Sequence, residues 1–320
     1  MKAIRVQQFG EPEVLQAVDV PDLIPGPGQV LVRLHAAGVN PVETYIRAGQ
    51  YPRLPDLPYT PGTDGAGVIA ACGPDVAAWA TGARVYLAGS LTGTYAEQTL
   101  CAPAHLHSLP AAISFAQGAA LGVPYTTAHV ALFHRGQARP GETILIHGAT
   151  GGVGLAVVQI AHSAGLRVLA TGGTEAGRAL AQKEGADAVF DHHATDSARQ
   201  ILDSTGGRGV DLIVELLANV NLGKDLSLLA PSGRVVVVGS RGPVEINPRD
   251  LMARNADIRG VMVFGTPPDV LSETHRALVA GLEKGALRPI IGHEYPLSEA
   301  PQAHRAIMSP GAVGKIVLVM

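Results

Sequence analysis

Thr143-Ile-Leu-Ile-His-Gly-Ala-Thr-Gly-Gly-Val-Gly-Leu-Ala-Val-Val-Gln-Ile-Ala161 decides the fold. Its first residues are an apolar run of the kind that forms a parallel strand buried on both faces. Glycines follow at Gly148, Gly151 and Gly154, with an extra Gly152. A glycine turn lets bare backbone approach a pyrophosphate closely. The segment after it reads as an amphipathic helix, whose free N–H groups and positive dipole end would face the phosphate charge. A glycine triplet alone is weak, because such turns also cap ordinary strands. Placed between a strand and a helix, it predicts a dinucleotide site.

The next strand bears on which dinucleotide. Residues 167–171 fit that strand, and an NAD site would end it in Asp or Glu to hold the ribose 2′-OH. Here Gly172-Gly173-Thr174 follows instead, the first acid is Glu175, and Arg178 comes shortly after. Without a carboxylate there is no repulsion toward a 2′-phosphate, and hydroxyl and guanidinium groups can bind it. NADPH is expected over NADH. The alternative for Arg178 is decoration of the exposed face of the following helix.

Composition narrows the class. With 320 residues the chain can form two domains, and 47% hydrophobic against 16% charged residues excludes a disordered chain. A net charge of −3 provides no basic field for nucleic acid or a membrane surface, so neither partner is expected. Two cysteines, Cys72 and Cys101, suit a reducing compartment, and no leader-like segment opens the sequence. No apolar run reaches the ~18 residues that span a bilayer. A cytoplasmic location is expected.

Three blocks follow one another. Residues 1–123 carry short alternating strands (2–6, 29–36, 67–71, 83–87) punctuated by Pro25-Gly-Pro-Gly28 and Pro61-Gly62, which reads as a β module. Residues 124–263 alternate strand and helix, with strands at 143–147, 167–171, 188–190, 211–215, 234–238 and 258–263. That period predicts a right-handed parallel sheet covered on both faces, an α/β Rossmann unit. Residues 264–320 carry a helical segment at 270–284, an extended stretch at 288–295, a helix at 299–307 and a closing strand at 315–319.

Four stretches carry a family resemblance. They are Gly38-Val-Asn-Pro-Val-Glu-Thr-Tyr-Ile-Arg47, Pro58-Tyr-Thr-Pro-Gly62, the turn His147–Gly154, and Glu215-Leu-Leu-Ala-Asn-Val-Asn221 with Val238-Gly-Ser-Arg241 and Glu245-Ile-Asn-Pro-Arg-Asp250. The chain resembles the medium-chain dehydrogenase/reductase superfamily and, within it, the zinc-independent ζ-crystallin family of NADPH:quinone oxidoreductases. The resemblance implies a GroES-like β-rich catalytic domain built from both ends of the chain, with the Rossmann domain inserted and the cofactor in the cleft. It also implies a homodimer or homotetramer paired through the last strand of the Rossmann sheet.

The same comparison shows what is absent. Zinc-dependent relatives carry a Cys where this chain has Val39-Asn40-Pro41, and Gly-His-Glu where it has Gly62-Thr63-Asp64. Catalytic zinc needs three Cys, His or carboxylate ligands in tetrahedral geometry. His192-His193 is the only histidine pair, and neighbours in sequence point apart, so no metal is expected. Metal-free reduction suits a quinone, because the incoming negative charge spreads over a conjugated ring. The protein then has to align two flat rings and offer a hydrogen bond. Two other functions remain open: reduction of α,β-unsaturated carbonyls, with Tyr45 as proton donor, and a nucleotide-binding protein with an RNA-binding or structural role.

Candidate site residues follow from the matched motifs. Tyr45, Asn40 and Thr127 (in Pro124-Tyr-Thr-Thr-Ala128) are the catalytic candidates, and Tyr45 is also a cofactor contact. Thr150, Gly151, Gly152 and Val153 match the pyrophosphate loop. Gly173, Thr174, Arg178, His192 and Asn221 match adenosine-side and ribose positions. Val238, Gly239, Ser240 and Arg241, with Val261, Met262 and Val263, match segments flanking the cofactor. Each has an ordinary alternative: Tyr45 a packing residue, Asn40 a turn former before Pro41, Arg241 a surface ion-pair residue, His192 a loop histidine.

Overall fold

The computed structural model describes residues 1–311 and 313–320 and divides into two compact units. One contains residues 1–124 and 279–320, the other residues 125–278.

The inner unit is a six-stranded sheet in which every pairing is parallel. Its strands are β1 (Thr143–Ile146), β2 (Arg167–Gly172), β3 (Ala188–Asp191), β4 (Val210–Glu215), β5 (Leu229–Val237) and β6 (Asp257–Gly260). Helices α1 (Gly152–Ser163), α2 (Glu175–Lys183), α3 (Ser197–Ser204) and α4 (Ala218–Leu228) connect the first five. The spatial order is β3-β2-β1-β4-β5-β6. This is the doubly wound order expected from the sequence, and it reverses direction between β1 and β4, where such sheets bind ligands.

The strands form where runs of Ile, Leu and Val can be buried from both sides. Ile144, Leu145 and Ile146 of β1 and Leu212, Ile213 and Val214 of β4 are all fully buried. Helix α1 differs from its expected amphipathic character, since Gly154 to Ala161 are buried without a break. The physical reason lies in its composition, because this helix has almost no polar residue to offer to water. Its buried Gln159 is satisfied locally: Tyr125 Oη donates to Oε1 at 2.7 Å, and Nε2 donates to Glu184 at 2.8 Å. At Gly154 a Cβ would lie 2.3 Å from the Gly148 carbonyl oxygen and 2.6 Å from Ala149 Cα. The third glycine therefore lets the helix seat directly on the turn. Gly148 has φ of +67°, which provides the reversal.

The last strand is shorter than the sequence suggests. β6 ends at Gly260, and Val261 makes one further bond, its N–H donating to Val237 O at 3.0 Å. Its partner β5 itself ends at Val237. Val261, Met262 and Val263 thus lie beyond the ladder, with Val263–Gly265 in a 3₁₀ turn.

The outer unit is a β-rich sheet closed by the C-terminal segment. Its order is Ile291–Pro296, Lys315–Val319, Val30–Gly38, Asp64–Cys72, Arg84–Ala88 and Leu106–Ser108, with Gln98–Cys101 also paired to Val30–Gly38. Val317 lies opposite Gly38 and Leu318 opposite Ala37, antiparallel. The closing strand therefore lies inside this sheet, between Ile291–Pro296 and Val30–Gly38. The chain re-enters this unit at Val279, inside the helix Pro268–Glu283, and not at the helix's start. No helix among the described residues is long and apolar enough to cross a membrane.

Candidate functional site

The carboxyl edge of the parallel sheet gathers most of the expected cofactor residues. The loop after β1 carries Thr150 and Gly151, the N-cap of α1, and Gly152 and Val153 open that helix. Nothing lies closer than 4.0 Å to a Cβ built on Gly151, so the turn leaves open space above its backbone. That opening and the unpaired first turn of α1 fit a pyrophosphate.

The end of β2 is tightly built. A Cβ at Gly172 would lie 3.1 Å from both Arg178 Cγ and Thr150 Cγ2, and one at Gly173 would lie 2.9 Å from His192 Nε2. Thr174 caps α2, its hydroxyl oxygen accepting from Gly177 N–H at 3.1 Å. Arg178 donates to the Gly172 carbonyl at 3.2 Å and pairs with Asp191 at 3.1 Å. The sequence reading found no acid at the end of β2. It missed that the parallel register sets Asp191, the last residue of β3, beside Gly172. The guanidinium is thus held at this edge, half exposed, with a carboxylate as its present partner. His192 is exposed at the same corner, and burial together with neighbouring His193 makes it less basic than usual.

On the other side of the switch point, Asn221 Nδ2 donates to Glu215 Oε1 at 3.3 Å. Val238, Gly239, Ser240 and Arg241 form the loop after β5. The Arg241 N–H donates to Asn219 Oδ1 at 2.8 Å, and its side chain is exposed. Met262 is exposed, and Val261 and Val263 are half-buried. Thr127 is buried in the helix Gly122–His129, away from the glycine turn in sequence and in element.

Tyr45 and Asn40 belong to the outer unit, on the helix Pro41–Arg47 and at its N-cap. Tyr45 is half-buried, and its phenol has no hydrogen-bond partner among the described residues. Asn40 is only 2% exposed. Its Nδ2 donates to Asp64 at 2.9 Å and to Glu43 at 3.3 Å, and its Oδ1 accepts from the Lys315 ammonium. Glu43 returns to accept the Asn40 backbone N–H at 2.9 Å and the Tyr95 hydroxyl at 2.7 Å. Lys315 Nζ lies 3.7 Å from Asp64 Oδ2, and Asp64 Oδ1 accepts the Val123 N–H at 2.8 Å.

Burial governs the electrostatics of this cluster. It pushes Glu43 up to about 7 against the pull of Lys315, and pushes Asp64 up as well. The same burial pulls the Lys315 ammonium down, opposed by the two carboxylates. His304, which touches Tyr95 at 3.1 Å, is driven down to about 3 by burial and stays neutral.

Asn40 and Asp64 lie in the stretches where the family resemblance places the ligands of zinc-dependent enzymes, and their donor set is a poor match for zinc. It offers one amide and the carboxylates of Asp64 and Glu43, with no Cys or His, and the Lys315 ammonium bonds the amide and lies 3.7 Å from Asp64. A divalent ion there would meet a like charge already seated against the Asn40 amide oxygen and Asp64. Sequence reasoning noticed the missing cysteine and histidine but not the lysine. Lys315 stands 275 residues from Asn40 and looks like an ordinary strand residue.

The chain resembles known proteins along its whole length. A family model described as an alcohol dehydrogenase GroES-like domain matches residues 26–111, and one described as a zinc-binding dehydrogenase matches residues 152–280. The chain is 49% identical to human quinone oxidoreductase, with 100% of this chain and 98% of that protein covered. Against the quinone oxidoreductase of Rattus norvegicus the identity is 51% over the same shares. The crystal structure of Escherichia coli quinone oxidoreductase complexed with NADPH superimposes with a TM-score of 0.90 at 30% identity, covering 100% of both chains.

The Lys315 centre makes a pH-dependent prediction. Lys315→Met keeps most of the stem but strands two buried carboxyl groups, at a cost of ~3–5 kcal/mol when they are ionised. A buried carboxyl with a raised folded value keeps its proton in the fold while the unfolded chain loses it, so folding weakens as pH rises. Without the ammonium this effect grows. Urea denaturation should show a larger loss for the variant at pH 8 than at pH 5. An equal loss at both would mean that packing of the stem, not charge, is what matters.

Proposed function

This chain belongs to the quinone oxidoreductase family of medium-chain dehydrogenases/reductases, and on that premise we propose that it reduces quinones with NADPH and without zinc. One observation carries the metal-free part of the reading. An ammonium, not a set of metal ligands, meets Asn40 and Asp64 at the centre of the outer unit.

NADPH, when bound, supplies the hydride. The chain's own task is to hold the cofactor and orient an acceptor. Backbone N–H groups of Gly151, Gly152 and Val153, with Thr150, hold the pyrophosphate. Gly173, Thr174, Arg178 and His192 take the adenosine end, and Arg178 exchanges Asp191 for the 2′-phosphate. Asn221 and the segments Val238 to Arg241 and Val261 to Val263 take the ribose and flank the rings. Thr127 serves the nicotinamide end. Tyr45, whose phenol has no internal partner, offers its O–H to the quinone oxygen. Asn40 acts indirectly, since its buried amide fixes the start of the helix that presents Tyr45. A quinone needs no stronger acid than this phenol, because the charge it gains is delocalised.

The direct test is NADPH oxidation across ortho-quinones, para-quinones and enones, with zinc measured on the same sample. Quinones should be turned over fastest by protein holding far less than one zinc per chain. Faster enone reduction would move the reaction class, and stoichiometric zinc with loss on chelation would end the metal-free reading.

Arg178 tests cofactor choice separately. Arg178→Ala should lower the ratio of NADPH to NADH affinity by about tenfold, or ~1.4 kcal/mol, the worth of a charge-assisted contact. Titration giving an unchanged ratio would remove Arg178 from the 2′-phosphate site.

Assembly and location extend the proposal. β6 is an edge strand of the sheet, and Met252, Met262 and Phe264 nearby are 73%, 61% and 56% exposed. An open edge bordered by apolar side chains favours pairing with a second copy. The protein is proposed to be a homodimer or a pair of such dimers in the cytoplasm, where its two free thiols, Cys72 and buried Cys101, stay reduced. Light scattering should give at least twice the 33.0 kDa chain mass, and a monomer at every concentration would refute the pairing.

A further inference from the structure

The switch point holds a buried cluster that none of the motifs assigned. His147 follows β1, Glu215 ends β4, and Asp225 lies within α4. β1 and β4 are adjacent, with Ile146 opposite Val214, so His147 and Glu215 emerge side by side. Asp225 is fully buried, and its Oδ1 lies 3.0 Å from His147 Nε2. One nitrogen or oxygen from each of the three residues falls within 4.8 Å of the others. Both Asp225 oxygens and Glu215 Oε2 are buried without a directed hydrogen bond.

Each outer member of the cluster holds one lip of the crevice. His147 Nδ1 meets Thr171 Oγ1 at 3.2 Å, and the same hydroxyl accepts the Gly148 N–H at 3.4 Å, where the glycine turn begins. Glu215 Oε1 accepts the Leu217 N–H and the Asn221 amide, on the turn that opens α4. Both lips therefore converge on one side chain.

We propose that Asp225 is a positioning residue for the cofactor, bracing the glycine turn through His147 and the Asn221 turn through Glu215 by means of shared protons. The role rests on the reading of this crevice as the NADPH site. Two buried carboxylates beside one imidazole leave a net negative charge that such a site does not sustain. A proton on Glu215 removes it and supplies a donor to Asp225, while protonated His147 supplies the other. The surroundings push the same way. Burial and Asp225 raise Glu215 to about 7, and although burial alone would lower His147, the two carboxylates hold it above its usual value. The other charged groups facing the cluster are Lys224 on α4, which opposes protonation of His147, and His192 from the loop after β3, which His147 makes less basic. Neither replaces Asp225 as the link between the lips.

NADPH affinity, read by fluorescence titration at pH 6 and pH 8, tests the role. Asp225→Asn should weaken binding by about tenfold at pH 6, the scale of an unsatisfied buried partner. Glu215→Gln is neutral at every pH and keeps a donor. Its affinity relative to wild type should rise by about tenfold from pH 6 to pH 8, and titration of the nucleotide's own phosphate cancels in that ratio. Urea stability of the same pair should shift in the same direction with no cofactor present, which tests the shared proton even where Asp225→Asn does not fold. A flat ratio in both measurements, or wild-type affinity in Asp225→Asn, would overturn the proposal. One divalent ion per wild-type chain, lost in Asp225→Asn, would make this a metal site and overturn it too. Wild-type protein that fails to bind NADPH while keeping the predicted stability shift would instead refute the cofactor reading and, with it, the positioning role.

Discussion

A carboxylate can be buried only with its compensation buried beside it, and both functional regions of this protein are organised by that constraint. In the outer unit Glu43 and Asp64 are enclosed around Lys315, and Asn40 ties the three together. In the inner unit Asp225 and Glu215 are enclosed with His147. In each case the groups come from separate elements, so neutralising the charge also fixes how those elements meet. The sheet register, the helix start at Asn40 and the turn at Leu217 are all held by the same requirement.

The same constraint bears on how the proposed metal-free chemistry would be supported. A positive charge sits where the N-terminus of the helix Pro41–Arg47, the strand Asp64–Cys72 and the closing strand converge. A lysine provides that charge from within the chain. Unlike a zinc ion, this buried ammonium, already bonded to Asn40 and beside Asp64, offers no open coordination position for a substrate oxygen. On the proposed reading, acceptors that stabilise negative charge by themselves suit such a site best.

Much of the architecture was legible in the sequence because its signals are local. The run from Thr143 to Ala161 holds strand, turn and helix within one window, and the six strands follow by period, with helices between the first five. The interactions that were not legible are those joining distant positions. Asp191 reaches Arg178 only through the register of two parallel strands. Asp225 belongs to no motif in the sequence, and its burial follows only once its helix is seated. Lys315 reads as a solvent-facing strand residue until the sheet is closed. The end of β6 and the burial of α1 escaped for a related reason, since both depend on where a neighbour stops or covers rather than on the segment itself.

The placement of Lys315–Val319 inside the outer sheet, between Ile291–Pro296 and Val30–Gly38, sets an order of events in folding. Residues 125–278 are contiguous and hold all the strands of their sheet, so the inner unit can form as soon as they have been synthesised. The outer unit cannot. Its strand Val30–Gly38 waits for a partner made almost three hundred residues later, and until then Asp64 and Glu43 have no counter-charge. The early β-strands must be kept from pairing with other chains throughout that interval, when their edges are open. The last strand thus works as a latch, and the chain's first module reaches its native state last.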